Sequence, residues 1–244
     1  MHAKQTKTKM KSEKVALITG ASKGLGLALA KTLAANEWKL LISARNALEL
    51  YEAKTELSEI TEVVAISGDI RDEIHLLQFP EILERKHWRL DLLVNNASAL
   101  GHSPLRPLLF SEIDMMHIVF HTNVIAPVSL LQKVHAYLTS NAKVINVSSD
   151  AAVEPYQKWG PYGGSKAALE HVTAILGKEN ESHHYYSFDP GDMRTDMHQK
   201  AFPDDDISDR PLPGDHAVPA LMQLIESSFP SGRYTAFQLQ KQSV

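Results

Sequence analysis

The sequence of 244 residues contains no cysteine. This absence excludes a disulfide framework, a thiol nucleophile and a cysteine-ligated zinc site. No run of apolar residues approaches the length that a membrane-spanning helix needs. The lysine-rich residues 1 to 13 are not followed by the apolar core of a secretory signal, so we expect them to form a disordered, solvated tail.

The chain also carries little net charge, -4 at pH 7. A nucleic-acid-binding protein needs a basic surface to displace counterions from phosphates, so nucleic acid is not expected as a partner. With 43% hydrophobic and 22% charged residues, the chain is long enough to bury a sizeable core. We therefore expect a cytoplasmic protein with no membrane partner, folded as a single α/β domain over residues 14 to 244.

A glycine-rich turn follows the first apolar run, Val15–Thr19, and precedes leucines at helical spacing. The pattern predicts a strand, a turn and a helix. In such a turn Gly20 permits a tight bend, Gly24 lets the backbone approach a pyrophosphate, and Gly26 lets the helix pack closely on the strand. The turn therefore predicts a dinucleotide site, with a simple turn as the alternative.

The second predicted strand, residues 39 to 43, is followed by Arg45 and Asn46 and by no carboxylate. An acid at this place would bind a ribose 2'-hydroxyl, whereas a cation favours a 2'-phosphate. Arg45 and Lys23 therefore predict NADP(H) as the cofactor. The alternative is that both are ordinary surface cations.

The third predicted strand, residues 63 to 67, leads to Asp69, for which two roles remain open. Asp69 could accept a hydrogen bond from an adenine amine, or it could cap a helix that begins near Arg71. The fourth predicted strand ends in residues 95 to 99, two asparagines followed by small residues. Such a segment suits a crevice through which a cofactor backbone passes, or it forms a turn.

The candidate chemistry lies between residues 148 and 166. An apolar strand stops at Ser149, and a helical pattern follows in which Tyr162 and Lys166 are four residues apart and share one face. The ammonium of Lys166 is expected to lower the pKa of the Tyr162 phenol and make proton exchange with a substrate oxygen feasible. Ser149 would then hold that oxygen.

A long helix is predicted over residues 111 to 139. Asn123 lies on its buried face, and Pro127 removes the donor that would bond the Asn123 carbonyl, which is then free to hold a water. His117 and His121 are also four apart, but without a third ligand we expect surface histidines and no metal site. The apolar residues assigned to the buried face are Ile113, Met116, Phe120, Val124, Leu131, Val134 and Leu138.

The remaining chain predicts a helix to about residue 180, a sixth strand over residues 185 to 188, and a mobile loop over residues 201 to 214. A final helix over residues 216 to 227 and a strand over residues 233 to 237 complete the sheet. No internal repeat or linker divides the chain.

Taken together, these residues resemble the short-chain dehydrogenase/reductase family over residues 14 to 240. The resemblance rests on motifs in the family's order and spacing: Thr19-Gly20-x-x-x-Gly24-x-Gly26, Asn95-Asn96-Ala97, Asn123, Ser149, Tyr162-x-x-x-Lys166 and Pro190-Gly191. Within the family, Ser43-Ala-Arg-Asn46, Pro155-Tyr-x-Lys-Trp159 and Thr195-Asp-Met197 are most similar to the branch of sepiapterin reductases and bacterial carbonyl or benzil reductases.

The resemblance implies a Rossmann-type, doubly wound sheet of about seven parallel strands with helices on both faces. It implies NADPH-dependent reduction of a small-molecule carbonyl, in which Tyr162 is the acid, Ser149 holds the oxygen, Lys166 binds the nicotinamide ribose and Asn123 positions a relay water. The alternatives are a pterin reductase or a catalytically idle NADP-binding regulatory protein. The implied cofactor residues are Gly20, Ser22, Lys23, Gly24, Leu25, Gly26, Arg45, Asn46, Asp69, Ile70, Asn96, Ala97, Tyr162, Lys166, Pro190, Gly191, Met193 and Thr195.

The resemblance further implies an apolar substrate pocket lined by Leu100, Tyr156, Trp159, Met193 and Met197, with ordinary packing as the alternative. The acid that anchors the pterin in sepiapterin reductases is matched by Ala236, just before Phe237, which argues against a pterin substrate unless the loop over residues 194 to 214 supplies an acid. A homodimer or homotetramer is expected through helices 111 to 139 and 160 to 180, because Met115, Ile118 and Leu130 lie off the assigned buried stripe.

Overall fold

The computed structural model describes residues 13–241, so the predicted tail lies outside the described residues except for Glu13. Seven strands form one parallel sheet in the order β3-β2-β1-β4-β5-β6-β7. This order reverses direction between β1 and β4, and such a switch point opens a crevice at the carboxyl edge of a parallel sheet. The strands are β1 Val15–Thr19, β2 Lys39–Ala44, β3 Val63–Ser67, β4 Leu90–Asn95, β5 Leu138–Val147, β6 His184–Asp189 and β7 Gly232–Thr235.

Helices cover both faces of this sheet. Leu29 of α1 and Leu221 of α8 are fully buried in the core on one face, whereas Phe79 of α3 and Val134 of α5 are fully buried in the core on the other. Burial on both faces explains why the strands are almost continuously apolar. The helices are α1 Gly24–Ala35, α2 Ala47–Ser58, α3 Glu73–Lys86, α4 Ile113–Phe120, α5 Ala126–Val134, α6 Gly160–Glu179, α7 Asp196–Ala201, α8 Ala217–Glu226 and α9 Ala236–Lys241.

The helix predicted over residues 111 to 139 is interrupted. A π-helical segment, His121–Ile125, separates α4 from α5, and within it the Ala126 N–H donates to the His121 carbonyl. Pro127 follows in the first turn of α5. The N–H that proline lacks is therefore not lost from a regular run of α-helical hydrogen bonds. The chain then passes through a short 3₁₀ turn and enters β5 at Leu138, so the prediction that residues 138 and 139 are helical was wrong.

The π-helical segment also changes which side chains are buried. Ile113 was assigned to the buried face but is 64% exposed, and Leu130 was assigned to the outer face but is fully buried. Val119, which was not assigned to the buried face, is fully buried as well. An extra residue in a helical turn rotates everything after it by about 100°, so one 3.6-residue stripe cannot describe both halves.

By length and composition alone, the helical run from residue 113 to residue 137 is apolar enough to cross a membrane, contrary to the expectation that no such segment is present. Its inner face packs against the sheet, because Ala126, Leu131 and Val134 belong to the buried core. The same run contains Asn123, whose amide is fully engaged within the protein. We therefore interpret it as a core helix of the sheet.

Two further boundaries differ from the predictions. Helix α3 begins at Glu73, and its cap is Asp72, whose carboxylate accepts from the Ile74 N–H. At the other end of the chain β7 stops at Thr235, and residues 236 and 237 begin α9 instead of continuing the strand. The loop after residue 201 contains no regular element before α8, and a short helix, α7, precedes it.

Candidate active site

The glycine turn lies between β1 and α1 at the carboxyl edge of the sheet. Gly20 has a φ of +67°, which favours glycine, and a Cβ on Gly26 would collide with the Gly20 carbonyl oxygen. The side-chain amide of Asn96 donates to the carbonyl oxygens of Thr19 and Gly20, both at 3.0 Å. Asn96 therefore holds the turn in shape, a role that its position in the sequence did not reveal.

Lys23 and Ser22 of this turn have carboxylate partners. The Lys23 ammonium lies 2.8 Å from Asp196 at the start of α7 and 3.3 Å from Glu49 of α2. The Ser22 hydroxyl also donates to Glu49, at 3.3 Å. The hydrogen bond to Asp196 is the main cause of the raised pKa of Lys23. Lys23 is therefore charged but already paired with two carboxylates.

Arg45 and Asn46 follow β2 at the same edge of the sheet. Arg45 is exposed, lines the cavity, and has no ion-pair partner within residues 13–241. Asn46 caps α2, because its side chain accepts from the N–H groups of Leu48 and Glu49. Arg45 is thus the cation of the predicted pair that is available to an anionic ligand.

Asp69 is not the cap of α3. Its carboxylate accepts from the backbone N–H of Arg71 and from the Arg71 guanidinium, at 2.7 Å for the shortest bond. These bonds lower the pKa of Asp69 to about 2, so Asp69 is ionised at neutral pH. Asp69 and Ile70 both line the cavity, and the contact of Asp69 with an adenine amine stays a prediction.

Tyr162 is buried near the start of α6, and only 7% of its surface is exposed. Burial raises its pKa, whereas the neighbouring hydroxyls of Ser149 and Ser98 act to lower it. The pKa of Tyr162 is therefore not lowered as expected, because burial outweighs the two serine hydroxyls and Lys166 is not among the groups that act on it. The raised pKa keeps the phenol protonated at neutral pH, and a protonated phenol is able to donate a proton.

Lys166 follows Tyr162 by one helical turn, and its Nζ lies 5.5 Å from the centroid of the Tyr162 ring. The ammonium donates to the carbonyl oxygen of Val147 at 2.7 Å. Burial lowers the pKa of Lys166 to about 7, and Glu170, one turn further along α6, acts to raise it. An ammonium has three donors, so the bond to Val147 leaves others for hydroxyl groups of a ligand.

Asn123 lies in the π-helical segment and is 1% exposed. Its carbonyl oxygen accepts from the Ser98 hydroxyl and from the Ala99 N–H, at 3.0 and 2.7 Å. Its amide donates to the Ala99 carbonyl and to the Ser165 hydroxyl, both at 2.9 Å. The Asn123 side chain therefore joins the end of β4 to α6 and orients Ser98 toward Tyr162.

Asp150 was not identified from the sequence, yet it contacts Ser149 directly. The Ser149 hydroxyl donates to one Asp150 oxygen at 2.9 Å, and the Tyr156 hydroxyl donates to the other at 2.9 Å. Asp150 also acts to raise the pKa of Tyr162. No spacing rule points to an acid here, because the contact arises from a 3₁₀ turn, Asp150–Ala152, after β5.

Four of the five residues predicted to line a substrate pocket lie on the wall of the cavity. Leu100, Trp159, Met193 and Met197 line the cavity, and the Trp159 ring lies 5.6 Å from that of Tyr162. Tyr156 does not line the cavity that the described residues form. It is 48% exposed, because its hydroxyl turns toward Asp150. Phe202, which was not predicted from the sequence, adds a ring whose centroid lies 5.9 Å from that of Trp159.

These groups share one cavity of about 490 Å³ at the carboxyl edge of the sheet. It extends from Arg45 and Asp69 past the glycine turn to Tyr162 and Trp159. All predicted site residues line it except Gly26, Asn123 and Tyr156. Within residues 13–241 no cluster of three or more histidine, aspartate or glutamate side chains is able to hold a metal ion.

Ala236, which was matched to the pterin anchor, does not belong to the site. It is 1% exposed and packs into the hydrophobic core at the start of α9. Ala236 therefore carries no argument about the substrate, and the earlier inference from its missing carboxylate was wrong. Six acids line the cavity, namely Glu49, Asp69, Asp150, Asp189, Asp192 and Asp196, and Asp196 belongs to the loop over residues 194 to 214.

A model of the short chain dehydrogenase family matches residues 14–206. The chain belongs to this family. The match includes the glycine turn, Asn123, Ser149, Tyr162 and Lys166. As a short chain dehydrogenase, the protein is an oxidoreductase, and its parallel sheet is the Rossmann-type sheet expected from the resemblance.

Individual relatives support the same family. The chain is 33% identical to a benzil reductase ((S)-benzoin forming) of Saccharomyces cerevisiae over 178 residues, 69% of this chain and 66% of the relative. It is 31% identical to sepiapterin reductase of Bos taurus over 204 residues, 76% of this chain and 74% of the relative. A short chain dehydrogenase structure from Pseudomonas syringae superposes with a TM-score of 0.85 at 27% identity, covering 91% of this chain and 93% of that one.

Proposed function

We propose that the protein reduces carbonyl compounds to alcohols with NADPH. The observation that carries this proposal is a protonated, buried Tyr162 phenol beside the Ser149 and Ser98 hydroxyls, at the end of a cavity leading to the glycine turn. NADPH, when bound, supplies a hydride to the carbonyl carbon. Tyr162 gives its hydroxyl proton to the carbonyl oxygen, and the product is an alcohol.

The other groups hold the reactants in place. Ser149 donates to the carbonyl oxygen, for which its hydroxyl has to turn away from Asp150. Lys166 binds the nicotinamide ribose with the N–H groups that Val147 leaves unused. The Asn123 side chain holds Ser98 and α6 in place relative to each other. Its backbone carbonyl positions a relay water. The glycine turn at the N-terminus of α1 and Arg45 bind the phosphates.

An aromatic or vicinal dicarbonyl is the substrate that we propose. The wall beside Tyr162 consists of an indole ring, two thioethers and a leucine, namely Trp159, Met193, Met197 and Leu100. These groups favour flat, apolar substrates that stack on Trp159. The benzil reductase among the relatives supports this choice.

The test is a steady-state comparison of benzil and sepiapterin with NADPH in excess, followed by NADPH absorbance. We expect kcat/KM for benzil to exceed that for sepiapterin by about tenfold, the effect of roughly 1.4 kcal/mol of binding. A tenfold preference for sepiapterin would instead favour a pterin reductase, in which Asp150 or Asp192 contacts the amine groups. Tight NADPH binding without turnover of any carbonyl in a panel of aldehydes, ketones and diketones would favour a regulatory protein.

The preference for NADPH is expected to depend on Arg45 more than on Lys23. Arg45→Gln removes an unpaired cation, so KM for NADPH should rise about tenfold or more, the effect of one charge-assisted bond, while KM for NADH stays unchanged. Lys23→Gln should have a smaller effect, because Asp196 and Glu49 already bind the ammonium. Equal losses with NADPH and NADH in the Arg45 variant would exclude a 2'-phosphate contact.

A homodimer is proposed from the helices flanking the π-helical segment. Ile118 and Ile125 are 36% and 52% exposed on this surface, and Ile175 of α6 is 43% exposed. Burying such side chains against a second copy stabilises association. Light scattering at micromolar concentration should give twice the chain mass for the wild type and one chain mass for the Ile118→Glu, Ile125→Glu variant. Ile60→Glu, at another exposed isoleucine, is the control, and a monomeric wild type would rule the dimer out.

A further inference from the structure

Four polar residues form an ion network at the carboxyl edge of the sheet, next to the residues assigned to catalysis. They come from four different places in the fold: the residue after β5, the middle of α6, the end of β6, and β7. None was identified from the sequence as a site residue. The strand-end ion network consists of Ser148, Glu170, Asp189 and Arg233.

Arg233 is the centre of this network because it binds both carboxylates. Its Nε donates to Glu170 at 2.9 Å and its Nη2 donates to Asp189 at 2.8 Å. A planar guanidinium presents its donors in a fixed fork, so the two carboxylates are held at a defined separation. Lysine has one terminal nitrogen and no such fork.

Each carboxylate in turn holds a segment of the active site. Glu170 accepts from the Ser148 hydroxyl at 2.6 Å, and Ser148 is the neighbour of Ser149. Asp189 accepts from the Gly191 N–H at 3.0 Å, within the turn that lines the cavity beside the glycine turn. A change in the position of either carboxylate would therefore move one of these two segments relative to the other.

The network also contributes charge close to Tyr162 and Lys166. Glu170 faces Lys166 from one turn along α6, Asp189 faces Tyr162 from the end of β6, and Asp150 faces Tyr162 from the 3₁₀ turn after β5. Of these three acids, Glu170 and Asp189 are compensated by Arg233. The Asp189 and Glu170 side chains are only 8% and 14% exposed, so solvent screens them poorly.

We propose that Arg233 is a positioning residue for carbonyl reduction, which acts through Glu170 and Asp189 to hold the Ser149 and Gly191 segments in register with Tyr162 and Lys166. The inference rests on the proposed function for its catalytic part. The arginine is remote in sequence from every motif, and it reaches the site only because β7 pairs with β6 in parallel register, Ser187 opposite Arg233.

Two variants separate the charge of Arg233 from its shape. Arg233→Gln removes both, and Arg233→Lys keeps the charge without the fork. The matched control is Lys39→Gln, since Lys39 also bridges two carboxylates, Glu13 and Glu62, at the opposite edge of the sheet. The measurements are NADPH affinity by cofactor fluorescence, kcat for benzil, the pH profile of kcat/KM, and the circular-dichroism melting curve.

We expect Arg233→Gln to weaken NADPH binding severalfold and to lower kcat about tenfold or more, because small misplacements of reacting groups are costly. Losing a cation beside two acids makes Tyr162 and Lys166 harder to deprotonate, so the alkaline fall of kcat/KM should move to higher pH. Arg233→Lys should keep the wild-type pH profile but remain below wild type in kcat. Lys39→Gln should match the wild type in NADPH affinity, kcat and pH profile.

An Arg233→Gln variant that melts cooperatively and keeps wild-type NADPH affinity, kcat and pH profile would overturn the inference. The same holds if Arg233→Lys, when folded, shows the pH profile of the glutamine variant. If the wild type binds NADPH but reduces no carbonyl, the proposed function fails. The NADPH affinity of Arg233→Gln then still tests whether Arg233 positions the Gly191 segment, because an unchanged affinity would reject that role.

Discussion

Tyr162→Phe is expected to lower kcat for carbonyl reduction by about 100-fold or more, the range in which general acid catalysis contributes. The substitution removes one hydroxyl from a ring that packs between Trp159 and the ammonium of Lys166. The fold and NADPH affinity should therefore change little. Stopped-flow or steady-state kinetics with NADPH and benzil, together with cofactor fluorescence, measure both quantities.

The control for this prediction is Tyr156→Phe, six residues earlier in the chain. Tyr156 also donates a hydroxyl hydrogen bond, to Asp150, but it does not line the cavity within the described part of the chain. Its variant should keep kcat within a few-fold of the wild type, as expected for an exposed hydroxyl. If Tyr162→Phe retained near-wild-type kcat with normal NADPH binding, Tyr162 would not be the acid.

Lys166→Met is expected to abolish most activity and, at the same time, to stabilise the folded protein at pH 7. The lysine is buried, and burial lowers its pKa to about 7 from 10.5. Methionine fills similar space and has no charge to desolvate. After the lost bond to the Val147 carbonyl is deducted, we expect a gain of about 2 kcal/mol in the free energy of unfolding.

The pH dependence of this gain follows from the direction of the shift. Between pH 7 and 10.5 the unfolded wild type binds more protons at this site than the folded one, so wild-type stability rises with pH. The advantage of Lys166→Met should therefore shrink by about 1.4 kcal/mol per pH unit above pH 7. Urea unfolding at pH 7, 8 and 9 measures it.

The comparison for stability is Lys39→Met. Hydrogen bonds to Glu13 and Glu62 raise the pKa of Lys39, so its removal should not stabilise the protein at any of these pH values. A Lys166→Met variant that is less stable than the wild type at pH 7, or whose advantage does not depend on pH, would mean that the buried ammonium is better solvated than the structure indicates.

Much of this protein could be predicted from its sequence, because the informative signals are local. A strand that ends in a glycine turn, or a tyrosine and a lysine four residues apart, specifies backbone geometry over a few residues. The bounds of β1 and β3, the glycine turn and the shared face of Tyr162 and Lys166 follow from such signals. The parallel order of the strands follows from the alternation of strands and helices.

The tertiary structure decided what depends on residues that are distant in the chain. The π-helical segment rotated α4 relative to α5 and left Ile113 exposed. A single helical period along the sequence cannot predict the buried faces of both helices. Desolvation within the assembled site raised the pKa of Tyr162, although its neighbour at four residues is a lysine. Arg233 reaches Glu170 and Asp189 only through the pairing of β7 with β6. Charge, burial and long-range hydrogen bonds are properties of the folded surroundings, and the order of residues along the chain does not encode them locally.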